Sequence, residues 1–224
     1  MAKKETSILT PHQHRVLEAL ADERYFIERF YLAGGTALAE FYLRHRLSED
    51  LDLFSEKQEV NPLPIMRFFN IHAKELEIKK IETKRVLGLH SFFLHFRDGT
   101  MLKVDFNYYP FPRIEKGVRF KQLAVESIYD IGVDKVHTIV LRPRARDYID
   151  VYFIVKEKRY DLNDLLMRAK AKFDWDISPI ELGARLIEAS HTTDYPRMLI
   201  PIDHKEWQEF FVAEAKKLRR KIFK

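Results

Sequence analysis

The stretch Tyr31–Phe54, YLAGGTALAEFYLRHRLSEDLDLF, decides the fold. A short apolar run from Phe30 to Ala33 stops at Gly34 and reads as a buried strand feeding a turn. From Thr36 to about Arg46 the spacing predicts a helix, with Leu38, Phe41, Tyr42 and His45 near one side. Asp50-Leu51-Asp52-Leu53-Phe54 then alternates, so Leu51 and Leu53 share one strand face while Asp50 and Asp52 share the other. The unit is strand, turn, helix, strand. It brings a glycine pair at a helix start to the same end as two carboxylates.

Each half of that unit has two readings. Gly34-Gly35 lets backbone amides approach a phosphate without a Cβ in the way, and the helix dipole and the Thr36 hydroxyl favour an anion there; the same pair also makes an ordinary tight turn. Two carboxylates on one strand face suit a hard divalent cation that takes its other ligands from a triphosphate, or else they are the solvated face of an edge strand. The apolar flank of Leu51, Leu53 and Phe54 argues for a strand packed inside a sheet. Arg44, Arg46 and Ser48 lie just upstream, where an arginine neutralises phosphate charge or pairs with Glu49.

Outward from this unit, Thr10-Pro11 with Gln13 writes a capping box ahead of Val16, Leu17 and Leu20. Asn61 to Lys74 reads as a helix after Pro62 and Pro64, and Leu76 to Val86 as a twisted or edge strand. The segments SFFLHF and MLKVDFNYY flank RDGT, whose Asp98-Gly99 supplies hairpin turn residues. On the second arm Leu102, Val104 and Phe106 point one way and Lys103 and Asp105 the other, which puts a third carboxylate on a strand. From about Val125 the chain reads as mostly helical, with further starts at Asp161, Ser178 and Asp203. A mixed α/β half therefore joins a helical half near residues 112 to 124, and the two are expected to pack together.

Composition narrows the function classes. With 224 residues, 46% hydrophobic and 13% aromatic, the chain can bury a core as one domain or two small ones. No cysteine is present, which removes disulfide frameworks, thiol nucleophiles and thiolate zinc sites. The net charge of +5 leans towards a nucleic-acid partner. No apolar run approaches a membrane span and no signal-like segment follows the basic N-terminus, so a soluble, cytoplasmic protein is expected. G-x-S-x-G, H-E-x-x-H and Walker A sequences are absent, and the histidines lack ligand spacing. The terminal KKLRRKIFK reads as a solvated helix end or an extension of a basic surface for RNA.

A further constellation runs from Asp130 to Val155. Asp147 and Asp150 are three apart and share a helix side, and Lys135 lies in a preceding helical segment. Asp134, Lys135, Arg142, Arg144, Arg146 and Asp147 form a surface salt-bridge cluster on one reading; on the other, a lysine and an aspartate serve a triphosphate and an attacking hydroxyl.

Taken in order, Gly34-Gly35-Thr36, a helix and Asp50-x-Asp52 resemble motif I of the DNA polymerase β nucleotidyltransferase superfamily. Lys135, the run Arg144-Ala-Arg-Asp-Tyr-Ile-Asp150 and, more loosely, Met198-Leu-Ile-Pro-Ile-Asp203 resemble its AbiEii/AbiGii toxin family. That resemblance implies an α/β (α+β) fold: a minimal nucleotidyltransferase core with a mixed sheet flanked by helices over residues 1–120, then a mostly helical region over 121–224 that completes the active site. It implies transfer of a nucleoside monophosphate from an NTP to an acceptor hydroxyl, with transfer RNA as the acceptor in characterised members and an antitoxin as protein partner.

Carried over by position, Asp50 and Asp52 bind Mg²⁺, with Mn²⁺ as a substitute, and Asp105 matches the third strand carboxylate. A second ion shares Asp52 or Asp105. Gly34, Gly35 and Thr36 cradle phosphates, joined by Arg46 and Ser48; Lys135 contacts the nucleotide, and Asp147 is the second essential acid, orienting Lys135 or taking a proton. A noncatalytic nucleotide or RNA binder on the same fold, a housekeeping enzyme, and a structural protein with decorative charges are the alternatives.

Overall fold

The structure, a computed structural model, describes the backbone of residues 7–222 and the side chains of 7–218. The end of the basic KKLRRKIFK run lies outside the described side chains. The chain divides into two compact units: residues 1–42 with 48–127, and residues 43–47 with 128–224.

The first unit is built on a mixed seven-stranded sheet. Helix α1 (Pro11–Asp22) starts as its capping box requires, with Thr10 Oγ1 accepting the Gln13 amide and Gln13 Oε1 accepting the Thr10 amide. Helix α2 (Arg24–Arg29) leads into strand β1 (Tyr31–Ala33), and Gly34 opens the short helix α3 (Gly34–Leu38). The expected helix to about Arg46 ends early. After Leu38 the chain widens into a π-helical turn, Ala39–Leu43, and then leaves helical geometry, so His45 and Arg46 are not on a helix. Strand β2 (Leu51–Ser55) alternates as read, with Leu51 and Leu53 fully buried.

Helix α4 (Pro62–Ile71) is capped by Asn61. Strand β3 (Ile78–Val86) is an edge strand rich in exposed charge, which discourages edge-to-edge pairing. The hairpin of β4 (Leu89–Phe96) and β5 (Met101–Tyr108) turns at Gly99, whose φ of 84° is the conformation the Asp-Gly pair was expected to supply. Strands β6 (Arg119–Phe120) and β7 (Leu123–Val125) complete the order β3-β4-β5-β2-β1-β7-β6. Strand β2 sits near the middle, antiparallel to β1 and parallel to β5. An aromatic core holds α2 and α4 on one sheet face: Phe26 meets Phe68 at 4.8 Å and Phe106 at 5.7 Å, and Phe69 meets Phe92 at 5.6 Å.

The second unit is helical, as expected from Val125 onward: α5 (Ile128–Leu141), α6 (Ala145–Lys158), α7 (Leu162–Phe173), α8 (Pro179–Glu188) and α9 (His204–Ile222). Asp161 and Ser178 cap α7 and α8 with the side-chain bonds their spacing predicts. At Gly132 of α5 a Cβ would lie 3.4 Å from the Ile154 and Leu165 side chains, within ordinary van der Waals contact. Fully buried Trp207 and Phe211 of α9 pack on Tyr148 of α6. No helix among the described residues is long and apolar enough to cross a membrane.

Candidate active site

In the first unit the acids assemble on β2 and β5. The parallel register sets Asp52 beside Asp105, so two residues far apart in sequence become direct neighbours on one sheet face. Asp50 precedes Asp52 by two and takes the same side. Its backbone carbonyl accepts the Thr36 hydroxyl, and Gln13 Nε2 donates to the carbonyls of Ser48 (2.8 Å) and Glu49 (3.1 Å). The turn into β2 is thus pinned from α1 and α3. Thr36, 1% exposed, anchors strand entry with the hydroxyl that the sequence offered as a phosphate donor.

Gly34 has φ of 68°, and a Cβ built on it would stand 2.6 Å from Asp52 Oδ2. The first glycine is therefore required both for its conformation and because the Asp52 carboxylate lies against it. The sequence reading missed Lys103. Its ammonium lies 2.7 Å from Asp105 Oδ2 and 3.1 Å from Asp50 Oδ2. Burial works against its charge, but Asp105 and then Asp50 more than reverse that and hold its pKa above the usual lysine value.

The residues suit a hard divalent cation in chemistry, because every donor is a carboxylate oxygen and Oδ1 of buried Asp105 has no hydrogen-bond partner. As the side chains stand, no three acidic or histidine groups among the described residues converge closely enough to hold a metal ion. Two of the carboxylates turn to Lys103 instead.

In the second unit Lys135 of α5 meets α6. Its Nζ is 2.5 Å from Asp147 Oδ1 and 3.0 Å from Asp150 Oδ2. Asp150, fully buried, also receives Arg46 through Nε (2.6 Å) and Nη2 (2.7 Å), and His45 Nε2 lies 2.8 Å from Oδ1. Of the residues in the surface-cluster reading, Asp147 is buried and Lys135 is turned to it, whereas Arg142 and Arg146 are exposed. Arg46, offered to phosphate or to Glu49, grips Asp150 with two nitrogens. Asp134 turns elsewhere, to Lys172 at 2.7 Å.

Burial alone would raise the Asp150 pKa, but the Arg46 guanidinium and the Lys135 ammonium hold it well below the usual carboxylate range. Lys135 is likewise opposed by burial and kept charged by Asp150 and Asp147, with Arg46 working against them. Asp150 is the residue the sequence reading undervalued. Its signal was present, three residues after Asp147 on one helix side.

Comparison with known proteins agrees with this architecture. Two solved Helicobacter pylori structures are similar: a candidate nucleotidyltransferase (TM-score 0.59, 21% identity, covering 94% of this chain and 92% of that one) and JHP933 (TM-score 0.56, 22% identity, covering 94% and 90%). At that identity they show the fold. An uncharacterised protein of Aquifex aeolicus (strain VF5) is 30% identical over 147 residues, which are 64% of this chain and 66% of that protein. The chain thus aligns with just under two thirds of that relative's length. The model of the nucleotidyl transferase AbiEii toxin family, type IV toxin–antitoxin system, matches residues 15–216. By that match over most of its length, the chain belongs to the AbiEii family of nucleotidyl transferase toxins.

Proposed function

We propose that this nucleotidyltransferase transfers a nucleoside monophosphate from an NTP to a hydroxyl of RNA, with release of pyrophosphate, and that Asp50 and Asp52 hold the Mg²⁺ or Mn²⁺ ion that the reaction uses. The observation that carries this reading is the placement of Asp52: beside Asp105 across the parallel register, and against Gly34, where a Cβ would stand 2.6 Å from its Oδ2. Asp50 and Asp52 would hold the divalent ion, which when bound would supply charge stabilisation to the phosphates.

The chain's own groups have distinct tasks in this reading. Gly34 and Gly35 admit the triphosphate close to backbone amides, and Thr36 fixes the strand entry that aims Asp50. Ser48 contributes to the same turn through its carbonyl. Lys135 contacts the nucleotide as a permanent cation. Asp147 orients it, a role supported by the 2.5 Å contact between them, and Arg46 acts on the nucleotide only through Asp150 and Lys135. The acceptor hydroxyl attacks the α-phosphorus, the bond to the β-phosphate oxygen breaks, and the hydroxyl proton leaves to solvent. The +5 charge favours an RNA acceptor, and transfer RNA is the acceptor to test first. The family also makes an antitoxin the expected protein partner.

The test is incubation of the purified chain with each α-labelled NTP, Mg²⁺ and either total RNA or transfer RNA, with Asp52→Ala alongside. Label should enter RNA with the wild type and fall at least about 100-fold with the variant. Equal labelling by both, or none by either, would sink the proposal.

A further inference from the structure

The sheet face that carries the acids continues past β5. The register places Ser91 of β4 beside Asp105 and Lys84 of β3 beside Ser91, so Asp52, Asp105, Ser91 and Lys84 form one row across four strands with their side chains on one face. The adjoining row brings Phe93 of β4 beside Lys103. We infer that this face, from Asp105 outward to the β3 edge, is where the acceptor lies: a single-stranded segment of RNA crosses β4 and β3, with a base stacked on Phe93, a phosphate on Lys84 and the attacking hydroxyl at the acids. The inference deepens the RNA-acceptor reading above and rests on it.

Charge selects the occupant. Strand β3 holds four cations, Lys79, Lys80, Lys84 and Arg85, against one acid, Glu82, so this strand supplies +3 of the chain's +5. Charge of either sign would keep another sheet edge away, but a surplus of positive charge suits a polyanion. Glu82, the acid on the same face, is already held by Lys80 at 2.5 Å and faces His95 at 3.6 Å. Lys84 is exposed and enters no ion pair among the described residues, so its charge is available to a phosphate. Phe93 is only partly buried, whereas its strand neighbours Phe92 and Leu94 point into the core. A partly exposed ring on a basic sheet face is a stacking platform for a base, and a duplex offers it no free base, which is why the occupant is single-stranded. Lys84 stands two strand spacings from Asp105, about 10 Å, so one short run of nucleotides reaches both.

The experiment measures binding of a fluorescein-labelled, unstructured single-stranded RNA to the full chain by fluorescence anisotropy over a range of KCl concentrations, and the KM values for RNA and NTP in the labelling assay. Lys84→Ala should weaken binding and lower the slope of log K against log salt by about 0.7, one phosphate contact on a single strand. Phe93→Leu, which keeps an apolar side chain without the ring face, should weaken binding at least about 5-fold with the slope unchanged. Both should raise KM for RNA and leave KM for NTP as it is, whereas Arg67→Ala, on α4 at the opposite sheet face, should alter neither. Lys84 is exposed, so its variant decides the matter even if Phe93→Leu melts early by circular dichroism. Wild-type affinity in either folded sheet variant, or an equal loss in Arg67→Ala, would overturn the assignment. If the wild type labels RNA while both sheet variants bind it unchanged, only this surface is wrong and it is left to a protein partner; if the wild type neither binds nor labels RNA, the RNA-acceptor reading fails with it.

Discussion

Asp150 shows how one buried carboxylate organises several cations. It receives two nitrogens of Arg46, one of His45 and the ammonium of Lys135, all within 3.0 Å. Replacing it with asparagine keeps the shape but takes the shared anion away from buried Arg46 and from Lys135, which retains Asp147. Breaking such a pair from one side costs about 3–5 kcal/mol, a large share of ordinary stability. Asp150→Asn should therefore lower the chemical-denaturation midpoint markedly at pH 7, and nucleotide transfer should fall with it because Lys135 loses one of its two anchors. The pH dependence has a fixed sign. The folded pKa lies below the unfolded value of about 3.9, so the carboxylate contributes fully above pH ~4 and its contribution fades as pH falls towards the folded pKa. The stability gap between wild type and variant should be flat from about pH 5 to 8 and shrink below about pH 4. A gap that grows on acidification would contradict the assignment of Asp150 as the ionised hub.

At the scale of elements, the strand–glycine–helix–strand unit was largely legible, because it is governed by local rules. Alternation in β2, the capping box of α1 and the Asp-Gly hairpin each follow from neighbours in sequence, and each is present. What local pattern could not report was where the helix after Gly35 stops. The apolar spacing continues to His45, but His45 and Arg46 leave the helix to meet Asp150, a partner more than a hundred residues away. Lys103 was overlooked for a related reason: its partners are set by the β2–β5 register, which no single segment encodes.

The start of α3 carries its own prediction. Alanine at residue 34 would face a left-handed backbone costing about 1–2 kcal/mol, and its Cβ would meet Asp52 Oδ2 at 2.6 Å. The carboxylate is the end of a side chain and can swing away, so the energetic loss stays small while the acid is displaced. Gly34→Ala should lower the melting temperature by only a few degrees yet reduce nucleotide transfer about 100-fold, the scale set by an ångström of misplacement. Comparable losses in both, scaled to the folded fraction, would mean that the glycine serves the fold alone.

For the whole molecule, the division into units is not a single cut in the chain. Residues 43–47 belong with 128–224, although the chain on either side of them belongs to the sheet unit. Within the helical unit this short segment is tied to residues near 198: the Leu47 amide donates to the Arg197 carbonyl at 2.9 Å, and the His45 carbonyl accepts the Leu199 amide at 2.8 Å. It also delivers Arg46 and His45 to Asp150. A fragment beginning at residue 128 would keep all five helices but lose both groups, leaving Asp150 buried with Lys135 as its remaining cation and leaving backbone groups near Arg197 and Leu199 unpaired. Such a fragment should melt non-cooperatively, or at least about 10 °C below the transition of the intact chain followed by the near-ultraviolet signal of its buried aromatics. Fusing residues 43–47 to it through a flexible linker should recover part of the difference, and an Arg46→Ala version of the fusion should not. If residues 128–224 alone melt as sharply and as high as the fusion, the segment merely rests on the helices and Arg46 is free to serve elsewhere.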